Sequence, residues 1–256
     1  MNGLIGGSSQ RIYINLVQGC KYKCKYCYLP SLDIINSAMP IMEDVAVSYI
    51  FSLPYFKDGN KGTILSLGCY SECMDPEYRD KTFHLISHLA KKKNYIQIAT
   101  KQVLTSKELD YLNDVCEYKN QIGVYYSLPT LTKSSEIEAG TPDVVKRINS
   151  LIECSRKSKL YGVLYIKPVL PGITILDIEQ YKTIIRSGIR YCVVGPMFHH
   201  DRYGKTTVGV HAFTEVHCAD EQMIINALGD VLKCYRHSTE IIGEFRREDE
   251  ESIKSF

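Results

Sequence analysis

Short apolar runs rich in Ile, Val and Tyr recur along the chain at 11–18, 63–68, 95–100, 122–128, 162–168 and 191–195. Each has the length of a strand and reads as apolar on both faces, which predicts parallel strands buried between layers. Between them, apolar residues repeat at helical spacing over 42–52, 77–93, 106–118, 142–158 and 177–187. Six β/α units in alternation predict βαβ crossovers, and they fit an α/β fold of the three-quarter TIM-like barrel kind.

Local signals sharpen several helix ends. Thr105-Ser106-Lys107-Glu108 has the form of a capping box, Thr141-Pro142 sets a capping hydroxyl before a proline at the first helical position, and Gly188 is placed to stop the fifth helix. From about residue 198 the rhythm changes. The stretch 199–204 is polar and turn-like, 205–216 has the β-branched content of a hairpin, 220–235 is helical in pattern and 245–256 is highly charged. The reading is therefore a barrel core at 1–197 and an extension at 198–256, hairpin plus helix, covering the open side that a barrel of six units leaves.

Composition narrows the class. At 256 residues, with 45% hydrophobic and 23% charged residues, the chain is long enough for one large globular core. A net charge of +2 is too small for the clustered basic footprint of a nucleic-acid-binding surface. Ten cysteines, no charged-then-apolar leader and no apolar run of membrane-spanning length point to the reducing cytoplasm and to no membrane partner.

The segment from Gly19 to Tyr28 carries the candidate chemistry. Cys20, Cys24 and Cys27 follow the first strand as C-x3-C-x2-C, with lysines at 21, 23 and 25 between them. Three thiolates on one loop can hold three irons of a [4Fe–4S] cluster and leave the fourth iron open, because such clusters otherwise take four cysteines. The competing readings are a zinc site, which would need a fourth ligand, a disulfide framework of a secreted chain, and cysteines filling core space. A non-enzymatic cluster or zinc protein for electron transfer or partner binding is the alternative of a different class.

The cysteine spacing, with Tyr26 in the aromatic slot before Cys27, resembles the radical S-adenosylmethionine (SAM) superfamily. The segments 65–76, Thr100-Lys101, Ser127, Glu138–Pro142 with Arg147, and 167–172 resemble in their order the spore photoproduct lyase-like group, over about residues 11–196. This resemblance implies a radical SAM partial barrel, a [4Fe–4S] cluster on Cys20, Cys24 and Cys27, SAM as second cofactor, and hydrogen abstraction from a substrate C–H bond. The substrate it implies is a nucleotide or nucleic-acid base, with a peptide or small metabolite as the alternative, and the reductant an electron donor such as flavodoxin or ferredoxin.

It further implies that Lys101 reaches the SAM carboxylate, that Ser127 lies near SAM, and that Tyr26 offers its backbone to adenine. Ser66 and Gly68 occupy the place of the superfamily's Gly-Gly-Glu type motif. Cys69 or Cys73, both expected at the barrel mouth, would return a hydrogen atom to the product. His217, Cys218, Cys234 and His237 form a second possible metal set or an ordinary mixture of core and surface residues. Cys116, Cys154 and Cys192 read as core. Tyr70, Tyr125, Tyr126 and Tyr203 lie where they could line a cavity, with packing as the default for each.

Overall fold

Alternation along each strand sends one set of side chains to an outer layer and the other to a concave face. The computed structural model of the protein describes residues 4–32, 41–201 and 213–254. In chain order they form β1 (Ile5–Gly7), β2 (Arg11–Ile14), β3 (Lys23–Cys24), α1 (Glu43–Ser52), β4 (Ile64–Leu67), α2 (Arg79–Ala90), β5 (Ile96–Thr100), α3 (Ser106–Val115), β6 (Ile122–Ser127) and α4 (Ser134–Ile137). There follow β7 (Glu138–Ala139), α5 (Val144–Ser155), β8 (Leu160–Ile166), α6 (Ile178–Arg186), β9 (Tyr191–Val194), β10 (Met197–His200), β11 (Phe213–Val216), α7 (Ala219–Gly229), β12 (Cys234–Tyr235) and α8 (Ser238–Lys254).

Eight strands make the main sheet, in the order β1-β2-β4-β5-β6-β8-β9-β12. β1 is antiparallel to β2, and the remaining neighbours are parallel. All six strands predicted from the apolar runs are present and adjacent in the expected sequence. A seventh parallel strand, β12, joins the far edge by pairing Cys234 with Cys192 and Tyr235 with Val193. Two residues make no apolar run, so this strand leaves no periodic signal.

Helix boundaries follow capping chemistry. Thr105 and Glu108 close the predicted box at the start of α3. Gly188 sits at φ +105° after α6, a conformation open to glycine. The Thr141-Pro142 expectation is corrected: Asp143 is the N-cap of α5, accepting from the Lys146 amide at 3.1 Å. Thr141 instead bonds the Glu138 carbonyl at 2.8 Å and closes the turn before it.

The two faces of the sheet build two cores. Ile12, Ile14, Leu65, Leu67, Ile96 and Ile98 face the outer helices. Ile64, Tyr95, Tyr125, Tyr161, Val163 and Val193 face inward, where α8 lies across the lower half of the concave face. The stretch read as a charged tail thus belongs largely to a helix. Its Ile241, Ile242 and Phe245 are buried, and the Phe245 ring centroid lies 5.1 Å from Tyr161, 5.4 Å from Tyr191 and 6.1 Å from Tyr95. Burying such side chains contributes roughly 1.5–3 kcal/mol each, enough to hold the helix in place.

The hairpin of the extension is β10 against β11, running antiparallel from Met197↔Val216 to His200↔Phe213. It uses the last four residues of the stretch predicted at 205–216; residues 202–212, Tyr203 among them, lie outside the described residues. The helix predicted at 220–235 stops at Gly229, because the chain turns into β12. Among the described residues no helix is long and apolar enough to cross a membrane.

Candidate functional site

The cysteine loop leaves β2 and is held from both sides at the C-terminal ends of the parallel strands. The Gly19 amide donates to the Tyr70 carbonyl at 2.8 Å, tying the loop to the exit of β4. On the other side β3 pairs with β7, Cys24 opposite Glu138, and the Lys25 amide reaches the Ile137 carbonyl at 2.9 Å. The lysines between the cysteines point outward: Lys21 meets Asp75 at 2.8 Å and Lys25 meets Glu136 at 3.5 Å. Cys20, Cys24 and Cys27 are half-buried and line one end of a cavity of about 590 Å³.

The donor set, three thiols on one loop, suits three irons of an iron–sulfur cluster. Among the described residues, one trio of Cys, His or acidic ligand atoms lies within 4.8 Å of one another, Asp44 with His84 and His88, and it does not include these cysteines. A lone ion needs its ligands that close, whereas a [4Fe–4S] cluster takes one thiolate per iron and accepts a wider spread. Burial pushes the Cys20 thiol up to about 11 and raises that of Cys24, so cluster binding would have to supply the stabilisation of the thiolates.

Beside the loop, Lys101 and Ser127 come together from the ends of β5 and β6, with Lys101 Nζ 2.8 Å from Ser127 Oγ. Lys101 Nζ also lies 5.4 Å from the Tyr26 ring centroid, a cation–π contact, and 3.8 Å from Glu138. The Tyr26 hydroxyl donates to Glu138. Behind them Glu138 meets the fully buried Arg147 at 2.8 Å, and Arg147 also donates to the Ser127 carbonyl at 3.1 Å. Three residues picked from the resemblance, Tyr26, Lys101 and Ser127, are thus neighbours around one buried ion pair.

Glu72 organises the wall between β4 and β5. Its carboxylate accepts from Thr100 Oγ1 at 2.5 Å, the Lys101 amide at 2.8 Å and the Met74 amide at 3.1 Å. Burial nevertheless raises its pKa above the ordinary carboxylate value, against those three bonds and the Lys101 charge. Gly68 turns the strand end at φ +87°, and a Cβ there would meet the Ala99 carbonyl at 2.3 Å. Ser66 lies deeper: its hydroxyl accepts from Arg11 Nε at 2.8 Å and donates to Gln97 at 3.0 Å, so it is committed to side chains of neighbouring strands.

The two candidate hydrogen donors part company. Cys69 lines the cavity, its thiol pKa raised by burial, and its backbone carbonyl accepts from the Tyr28 hydroxyl. Cys73, expected at the same mouth, turns into the outer core instead, 6% exposed and 3.7 Å from the Ala99 carbonyl. The tight turn at Gly68 carries the chain across the top of β5, which swings Cys73 outward.

Of the tyrosines, Tyr70 and Tyr125 line the cavity. Tyr126 faces the outer core and bonds Ser150 at 2.8 Å, because strand parity puts it opposite Tyr125. Cys116, Cys154 and Cys192 are buried core residues. His217 stands 2.9 Å from Glu221, and Cys234 pairs in register with Cys192; with Cys218 and His237 they form no ligand trio among the described residues.

Residues that sequence reasoning passed over complete the cavity. Arg11, Gln97 and Lys167 line it from β2, β5 and the end of β8, and Phe213 of β11 closes one side, its ring 4.9 Å from Tyr28. A charged residue inside an otherwise apolar strand run was the available signal for Arg11.

No protein-family model matches the sequence. No curated protein sequence matches it either. Solved structures do resemble the fold. Spore photoproduct lyase complexed with dinucleoside spore photoproduct aligns at TM-score 0.63 and 13% identity, over 87% of this chain and 75% of that one. Streptococcus suis SuiB bound to S-adenosylmethionine aligns at TM-score 0.56 and 15% identity, over 90% of this chain and 51% of that one. SuiB bound to precursor peptide SuiA gives 0.55 and 14%, over 90% and 49%. The mostly parallel sheet, with the cysteine loop after its first parallel strand, therefore shares the fold of spore photoproduct lyase and of SuiB.

Proposed function

We propose that this protein is a radical SAM enzyme in which Cys20, Cys24 and Cys27 hold a [4Fe–4S] cluster, and Lys101, Ser127 and Tyr26 receive SAM beside it. The supporting observation is that the cysteine loop and the Lys101–Ser127 pair open into one cavity at the C-terminal ends of the strands, where parallel α/β barrels carry their chemistry. When bound, cluster and SAM together supply reductive cleavage of SAM and hydrogen abstraction from a substrate C–H bond.

The chain's own residues would bind, orient and shield. Lys101 presents an ammonium to a carboxylate, a point charge on a flexible stem. Glu138 and Arg147 hold that lysine and Ser127 in place from behind. Gly68 lets the strand backbone approach closely, since a side chain there would strike Ala99. Tyr28, Phe213 and Phe198 wall the cavity from water. Cys69 is the residue placed to return a hydrogen atom, its thiol kept protonated by burial.

SuiB acts here as a reminder that the fold serves peptides as well as dinucleosides, so the reaction, lyase-like or otherwise, is carried by the site rather than by the fold. A cytoplasmic setting with a flavodoxin- or ferredoxin-type donor suits an oxygen-sensitive cluster. The decisive experiment is anaerobic reconstitution with iron and sulfide, reduction, and addition of SAM. Formation of 5′-deoxyadenosine and a changed EPR signal on SAM addition are expected; absence of both overturns the proposal in favour of an electron-transfer or zinc protein.

A further inference from the structure

The concave face of a parallel barrel is ordinarily filled by apolar side chains, yet here Arg11, the first residue of β2, lines the cavity. Its Nε donates to Ser66 at 2.8 Å, and its guanidinium lies 4.9 Å from the Tyr13 ring centroid. Ser66 in turn bonds Gln97, and Gln97 bonds the Tyr125 hydroxyl at 2.8 Å and the Ser238 carbonyl at 2.9 Å. This chain of bonds across three strands to the start of α8 fixes the plane of the guanidinium.

The fixing consumes one N–H of five. An arginine carries five donors in a rigid fork, and among the described residues the other four meet no carboxylate, although Arg11 lines the cavity. Nearby Lys167 adds a second cation, 8% exposed in its side chain, 3.6 Å from Glu215 and 4.3 Å from the Phe198 ring centroid. Glu215 offsets Lys167, and the Arg11 charge stays uncompensated. Arg11 shares the cavity lining with Lys167 and Cys69, and its charge works against the burial that raises the Cys69 thiol. A half-buried guanidinium on a cavity wall, with donors not used by carboxylates, is a ready partner for an anionic oxygen group.

We propose that the substrate presents an anionic oxygen group, a carboxylate or a phosphate, to Arg11, which holds it in the cavity with its reacting carbon toward Cys69. The inference rests on the radical SAM reading of the same cavity and adds the substrate's chemistry to it. It excludes substrates that carry no anionic group, and it calls for a compact substrate, because about 590 Å³ has to take SAM as well.

The test uses the reconstituted protein with inorganic phosphate and acetate as probes. Phenylglyoxal modification of the wild type is mapped by peptide mass spectrometry, with exposed Arg156 as internal reference. Either anion should slow modification of Arg11 and leave Arg156 unaffected; protection by phosphate alone assigns a phosphate, and by acetate alone a carboxylate. Arg11→Gln should weaken binding of the protecting anion about tenfold or more, as loss of a charged hydrogen bond does. Arg11→Lys, which keeps the charge and the packing, should fall between. An Arg11 that does not react, or reacts equally with and without both anions, overturns the inference. None of these readings needs turnover: if 5′-deoxyadenosine never forms, the radical reading fails while the anion measurement still stands or falls by itself.

Discussion

Lys101 and Ser127, 26 residues apart on adjacent strands, meet at 2.8 Å over a buried Glu138–Arg147 pair. The contact means that the charge proposed to meet SAM is set by residues at the ends of β5 and β6 and in β7 and α5 together rather than by one loop. Lys101→Met should lower SAM affinity roughly ten- to a hundredfold, the cost of a charge-assisted hydrogen bond. Equilibrium dialysis of labelled SAM against the reconstituted variant checks this, and unchanged binding would remove Lys101 from the site.

Behind that contact, Arg147→Ala should destabilise the fold by about 3–5 kcal/mol, because it leaves the buried Glu138 carboxylate with only the more distant Lys101, at 3.8 Å, to offset its charge. A double replacement, Arg147→Met with Glu138→Leu, should recover much of the loss. Urea unfolding of the single and double variants separates the cost of an orphaned charge from the worth of the pair.

Gly68→Ala puts a methyl group 2.3 Å from the Ala99 carbonyl at a backbone angle of +87°. Strain of both kinds predicts a loss of about 1–3 kcal/mol, read as a lower denaturant midpoint. Gly172→Ala is the comparison: φ is also positive at +69° but nothing lies within 4 Å, so the loss should be smaller.

Glu72 fixes a pH dependence. Its folded-state pKa lies above the ordinary 4.5, so between that value and the raised one the folded chain binds more proton than the unfolded chain. Stability from this group is full below 4.5 and declines as pH rises through the raised value. Glu72→Gln should flatten that part of the curve, measured as unfolding free energy against pH; an unchanged slope would contradict the assignment.

Cys69→Ala should leave cleavage of SAM intact while diverting the substrate product, and Cys73→Ala should not divert it. Product analysis by mass spectrometry separates the two cysteines, which differ in facing the cavity and the outer core.

Much of this arrangement was legible before any coordinates. The cysteine loop and six parallel strands could be read because apolar runs, turn chemistry and motif spacing are local properties, whereas Tyr26, Lys101 and Ser127 were singled out only by the family resemblance. What escaped depended on partners far along the chain. β12 is defined by Cys192, α8 by tyrosines of three strands, and the orientation of Cys73 by how Gly68 crosses Ala99. The Thr141-Pro142 pair shows the same limit at short range, since Thr141 and Asp143, which caps α5, stand two residues apart and differ in which turn they close.

Gln97 and Tyr125 both bond the Ser238 carbonyl, at 2.9 Å each, while Arg11 stands two bonds away. The chamber floor is therefore joined from residues more than two hundred positions apart, and no shorter stretch of chain contains a closed one. A polypeptide that ends before Ser238 has the cysteine loop without the helix to which that floor is bonded. The device that would confine a reactive species is finished only when α8 docks on the floor of the sheet.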